Sequence, residues 1–235
     1  MQPLVILGSG GYAQEVLWVV DELNAIHSSW DFLGFLDTAV PTRKGQTHYD
    51  RPILGGWDAL ERLPHPLHFA CGIGSPKARR KECSEAERRG LLPATLVYPD
   101  VVRARHVEIG DGTVIGPGAI LAPYARIGRH CAINVHATVG HDSQLGDFCV
   151  LCPGAQILGC VVLGEGAFIG TNATVFQGRC VGAGATLGAN SFLVTNLGAG
   201  RSAIGVPASS FSDSNGAGFC TEQEARRTAE VEENP

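Results

Sequence analysis

Two adjacent residues, His141 and Asp142, are of the types that move protons. A neutral imidazole beside a carboxylate suits a general base near pH 7, because the carboxylate favours the imidazolium that forms. An exposed His–Asp pair is also ordinary surface, so its placement has to decide. Two further patterns invite chemistry. Gly8-Ser9-Gly10-Gly11-Tyr12-Ala13 follows the apolar run at residues 4–7 and fits the G-x-G-x-x-G/A arrangement, which sets a phosphate on a helix N-terminus. Eight cysteines, with Cys149 and Cys152 in C-x-x-C spacing, raise metal and redox readings.

The 235 residues are 44% hydrophobic and 17% charged, enough for a packed core. Glycine is the outlier, with 31 residues, roughly twice its usual share. There is no Gly-X-Y period, so collagen is excluded. The net charge of −5 lies mostly in residues 209–235, which hold 2 basic and 6 acidic side chains. The remainder is nearly neutral, which argues against a nucleic-acid partner. No apolar run approaches the length of a membrane span, and the first eight residues read as a strand rather than a signal peptide. The expectation is a cytoplasmic protein with no membrane partner, whose cysteines stay reduced.

An apolar strand at residues 4–7 leads through the glycine turn into a helix marked by Val16, Val19, Val20, Leu23 and Ile26. A second strand ends at Asp37, where a carboxylate can accept hydrogen bonds from a ribose or a base. A third, at residues 67–71, ends in Gly72-Ile73-Gly74, and a basic helix follows at about residues 76–89. Residues 1–95 therefore read as a small α/β, Rossmann-like nucleotide-binding domain whose three loops meet at one sheet edge. A glycine turn with no ligand is the plainer alternative.

From Ile109, every sixth residue is aliphatic as far as Leu193, fifteen positions without an insertion. The next residue is glycine in nine of the first fourteen cases, and the fourth is Thr, Ala, Ser or Cys in twelve. Aliphatic, small and turn positions at this period describe flat faces meeting at tight corners, with three hexapeptides closing an eighteen-residue coil. Residues 96–208 are thus expected to form a parallel β-helix, with residues 209–235 an acidic, disordered tail in which a helix at 221–230 is conceivable. Cys131 and Cys149 fall eighteen apart at the small inward position, which makes them core packing. His141 falls on an outward turn and Ser143 inward.

The glycine-turn domain, the segment INVHATVGHDSQLGDFCVLCPGA and the terminal AIGVPA resemble the bacterial sugar O-acyltransferases of the sialic-acid type. They resemble most the nucleotide-diphosphate amino-sugar N-acetyltransferases, over about residues 3–208. The resemblance implies a left-handed β-helix and a homotrimer that acetylates the amine of a UDP-linked amino sugar by direct transfer from acetyl-CoA. His141 would be the general base and Asp142 the residue that orients it. Gly10, Gly11, Tyr12, Asp37, Gly74 and Lys77 would hold the UDP-sugar. Acetyl-CoA would lie in a groove between neighbouring β-helices near Gly159, Thr171 and Ala189, with Gly205 at its far end. Val150 stands where many relatives have a histidine that contacts the acyl donor, so that contact departs from the family pattern.

Three other readings stay open. The acceptor is a sugar hydroxyl, or the chain is a non-catalytic scaffold for nucleotide-sugar or CoA. In the third, His136 and His141 resemble the paired zinc ligands of β-helical carbonic anhydrases, although Asp100 stands where their third histidine belongs.

Overall fold

The computed structural model describes residues 1–39 and 44–211. Strand β1 (Gln2–Leu7) enters helix α1 (Gly11–Ile26), and β2 (Trp30–Leu36) returns parallel to β1. The short β3 (Thr47–His48) and β4 (Arg51–Gly55) extend the sheet beyond β2 as an antiparallel pair. Strand β5 (His68–Cys71) then pairs parallel on the far side of β1, and α2 (Pro76–Arg88) leads to β6 (Leu92–Pro93). The strand order is β3-β4-β2-β1-β5-β6. With β1 between β2 and β5, the loops after all three open at the same edge, as the alternation of strands and glycine turns predicts. Leu4, Val5 and Ile6 have no exposed surface, because this central strand is covered on both faces. Gly72 is fixed by close approach: a Cβ there would sit 2.6 Å from the Cα of Ala13, so a side chain would push α1 off the sheet.

From Leu96 the chain winds as a parallel β-helix of two-residue strands on three faces. The first face stacks Val114–Ile115, Ala132–Ile133, Val150–Leu151 and Phe168–Ile169. The second stacks Ile120–Leu121, Thr138–Val139, Gln156–Ile157 and Thr174–Val175. The third stacks Arg126–Ile127, Gln144–Leu145 and Val162–Leu163. Each of these partners is eighteen residues away, so every third aliphatic of the six-residue period falls on the same face. Thr113, Cys131, Cys149, Ala167 and Ala185 line the interior with no exposed surface, since only small side chains fit where two faces converge. The corners need left-handed backbone, and His106, Tyr124, Asp142 and Cys160 supply it in one column with φ between 57° and 62°.

The ladder starts earlier than the aliphatic period does. Leu96–Val97 and Val102–Arg103 already pair with the coil above, but Arg103 breaks the pattern because its guanidinium turns back to the Val107 carbonyl at 2.8 Å. At the other end, Ser202–Gly205 and Ala208–Phe211 form an antiparallel hairpin. Residues 209–211, assigned above to the tail, are therefore its returning strand. The conceivable helix at 221–230 lies outside the described residues.

The α/β unit stands on the first face. Helix α1 packs against Val114, Pro117, Ile133 and Val135. The imidazole of His130, fully buried, stacks between Phe69 and Phe148 at 5.8 and 5.3 Å. Arg79 of α2, also fully buried, donates to the carbonyls of Ile73 (3.0 Å), Cys71 (3.0 Å) and His130 (3.2 Å). One side chain thus ties the glycine loop after β5 to a β-helix corner.

Candidate active site

The three loops at the sheet edge enclose a cavity of about 660 Å³, lined by Gly8–Tyr12, residues 37–39 and 72–74, and Ala78, Lys81 and Glu82 of α2. Helix α1 begins at Gly10 without a side-chain cap, and its first turn carries no acid. Its free N–H groups and the positive end of its dipole therefore face the cavity, the condition for holding a phosphate. A Cβ at Gly10 or Gly11 would meet nothing within 4 Å, so open space lies over the turn. Asp37, 6% exposed, accepts from the Ser9 hydroxyl and from Ala39 N at 3.1 Å. Burial pushes the Tyr12 phenol up to about 12, against the pull of Arg79, whose guanidinium lies 5.5 Å from the ring. That hydroxyl stays protonated and able to donate.

Gly10, Gly11, Tyr12, Asp37 and Gly74 are thereby brought together, and Lys77 is not. At 100° per residue, α2 turns Ala78, Lys81 and Glu82 toward this cavity, while Pro76, Lys77 and Arg80 face a second one. The second cavity, about 720 Å³, lies between α2 and the β-helix, where Phe148, Phe168 and Thr186 form its other wall. Ser9, Lys81 and Glu82 join the cavity without standing among the expected ligand contacts. Ser9 lies inside the glycine turn and was readable there, whereas the α2 pair depends on how the helix docks.

His141 and Asp142 occupy the corner between the second and third faces. The imidazole is exposed, and its Nδ1 lies 2.8 Å from Oδ2 of Asp142. A carboxylate only accepts, so Nδ1 carries the hydrogen and Nε2 keeps its lone pair. The ring leans over Gly159 in the next coil, where a Cβ would sit 2.4 Å from Nε2. Ser143 points inward with no exposed surface; its hydroxyl donates to the Leu158 carbonyl (2.8 Å) and accepts from Val161 N (3.0 Å). It serves the coil and is not a nucleophile.

The residues expected to touch the acyl donor are spread over more than one surface. Gly159 shares the corner of His141. Thr171 and Ala189 are exposed on the opposite edge of the second face, near Gly205, whose neighbour Ile204 packs on Gly188. The second face spans these two edges. Val150 lies apart, 5% exposed on the first face between Ala132 and Phe168. His136 is exposed on the same edge as Thr171, a full strand away from His141, so one chain does not bring the two imidazoles to one metal. Asp100 is occupied as a turn acceptor for Gly118 N at 2.9 Å. The C-x-x-C spacing also dissolves: Cys149 is interior, while Cys152 sits on a corner, its thiol pushed up to about 11 by burial.

Within one chain the loop cavity and His141 do not meet. The α/β unit covers the first face, and the His141 corner is the edge opposite that face.

Residues 3–86 match the family model described as the PglD N-terminal domain, and residues 142–177 match the bacterial transferase hexapeptide model of six repeats. A GDP-perosamine N-acetyltransferase of Escherichia coli O157:H7 is 28% identical over 180 residues, 74% of this chain and 77% of that protein. A crystal structure of a perosamine N-acetyltransferase mutant from Caulobacter crescentus, in complex with CoA and GDP-perosamine, is 31% identical. It superposes with a TM-score of 0.81 over 91% of this chain and 98% of that one. The acetyltransferase domain of PglB from Neisseria gonorrhoeae FA1090, in complex with acetyl coenzyme A, is 26% identical with a TM-score of 0.80, covering 89% and 99%. The fold is accordingly a Rossmann-like α/β unit followed by a left-handed parallel β-helix.

Proposed function

Because the chain belongs to the hexapeptide-repeat sugar acetyltransferase family, we propose that it acetylates the amine of a nucleotide-linked amino sugar, with His141 as general base. It is an acyltransferase, and acetyl-CoA is its co-substrate. The observation that carries the base assignment is the 2.8 Å contact of His141 Nδ1 with Asp142, which leaves Nε2 as a proton acceptor on an exposed corner. Nε2 takes a proton from the sugar amine as its nitrogen attacks the thioester carbonyl. The tetrahedral adduct then collapses, the CoA thiolate leaves, and the imidazolium returns the proton to that sulfur. Transfer is direct, since Ser143, the nearest hydroxyl in sequence, is turned into the coil.

The diphosphate lies on the N-terminus of α1, with Gly10, Gly11 and Gly74 leaving it room and Asp37 on the ribose or base. The family resemblance implies UDP as the nucleotide; two of the relatives above act on or bind GDP-perosamine, and we take a GDP-linked sugar as the substrate. The separation of cavity and base within one chain favours a cyclic assembly, in which His141 of one copy serves the cavity of the next; three copies close it. Acetyl-CoA lies along the second face between the edges carrying Gly159 and Thr171. Among the described residues no helix is long and apolar enough to cross a membrane, and we place the enzyme in the cytoplasm, beside its acetyl-CoA supply.

The test is thiol release from acetyl-CoA in the presence of GDP- and UDP-linked amino sugars and their hydroxyl parents. Release is expected with the GDP-amino sugar alone. Release with a hydroxyl parent reassigns the acceptor, and no release with any of them overturns the reading. Light scattering should give a trimer.

A further inference from the structure

The corner that carries His141 and Asp142 holds a third ligand-type side chain that acyl transfer leaves unused. Cys160 lies eighteen residues after Asp142 and so stands over it in the next coil. The two share a left-handed backbone, with φ of 58° and 57°, and their Cβ atoms leave the ladder in parallel, about 4.8 Å apart. The His141 ring already leans toward that coil, over Gly159. As a result an imidazole nitrogen of His141, a carboxylate oxygen of Asp142 and Sγ of Cys160 all lie within 4.8 Å of one another. We propose that these three side chains form a site for a borderline-soft divalent cation of the zinc type, and that metal bound there silences the base.

The donor set selects the ion. One nitrogen, one oxygen and one sulfur suit zinc, whereas magnesium and calcium favour oxygen alone. Tetrahedral zinc sets such donors about 3.3–3.8 Å apart, so small rotations of one exposed and two half-buried side chains close the site. The backbone need not move, because the coils hold Asp142 and Cys160 in register. Water fills the fourth position. On binding, the Cys160 thiol gives its proton to solvent and the imidazole places a nitrogen lone pair on the metal, with no change of oxidation state. An imidazole committed to zinc cannot take the proton from the amine. The inhibitory half rests on the acyl-transfer reading; the binding half does not.

The test uses the tag-free full chain, with Co²⁺ as spectroscopic probe and Zn²⁺ in calorimetry. One metal per chain is expected, with a near-ultraviolet thiolate-to-cobalt charge-transfer band. In Cys160→Ala the band should vanish and zinc affinity fall at least tenfold, the smaller loss seen when even the outer shell of a zinc site is disturbed. Cys160→Gly, which accepts the left-handed backbone without strain, repeats the measurement if alanine folds poorly. Zn²⁺ should inhibit thiol release by the wild type and spare Cys160→Ala, whose metal-free turnover should match the wild type. Equal zinc affinity in wild type and variant, or a cobalt complex without the band, overturns the site. Binding through Cys160 without inhibition overturns the silencing. Should no acceptor support turnover, the spectroscopic result still decides whether the site exists.

Discussion

The edge of the His141 imidazole lies against the backbone of Gly159, so close that a Cβ there would fall 2.4 Å from Nε2 and 2.6 Å from Cε1. Gly159 therefore sets the position of the base as well as the turn. Gly159→Ala should swing the ring away from its place and lower kcat by about 10²-fold, the cost of misplacing a catalytic group by about 1 Å. The fold should hold, which circular dichroism can check. An alanine variant with wild-type kcat would mean that the ring position seen here is not the one used in turnover.

His141→Ala should lower kcat by roughly 10²–10⁴-fold with little change in KM for either substrate, because a general base acts in the transition state. Asp142→Asn should cost less, since it weakens the orientation of the ring and leaves the base in place. His136→Ala, on the other edge of the second face, should stay close to wild type. Steady-state kinetics on the three variants separates this assignment from a zinc reading that needs both imidazoles.

Ser143→Ala tests the hydroxyl's structural role. It leaves Val161 N and the Leu158 carbonyl without their partner inside a buried coil, at about 1–3 kcal/mol. The melting temperature should fall by several degrees, while kcat per folded molecule is unchanged. A large loss of kcat at undiminished stability would falsify direct transfer.

Burial holds the His130 imidazole below the ordinary histidine value, opposed by the nearby Glu87 carboxylate. The unfolded chain takes up that proton at about pH 6.5, and the folded one resists it. Stability from this group is therefore complete above pH 6.5 and declines as pH falls toward the folded pKa. His130→Phe keeps a ring between Phe69 and Phe148 and removes the titration. Its denaturation midpoint should depend less on pH between about 5 and 7 than that of the wild type, as urea titrations at several pH values would reveal.

Much of the molecule is readable in the chain because its regularities are local. The six-residue aliphatic period, the small residue four places on and the eighteen-residue coil all follow from backbone that repeats. One phase assignment consequently put His141 outward and Ser143 inward, and the register bears both out. The glycine turn and Asp37 were equally legible, because each lies at the end of an apolar strand of the same sheet.

Only the tertiary structure decided what depends on how the units meet. The angle at which α2 docks sends Lys77 to one cavity and Lys81 to the other. Seating the α/β unit on the first face buries His130 and Arg79, two polar side chains that no local pattern marks as interior. The same seating covers Val150 and leaves the loop cavity on the far side from His141. Cys160 joins His141 and Asp142 through the side chain's lean over Gly159. Periodicity fixes which way a residue faces within its own element. Contacts between elements depend on surfaces that fit without any repeat, and such a fit leaves no period in the sequence.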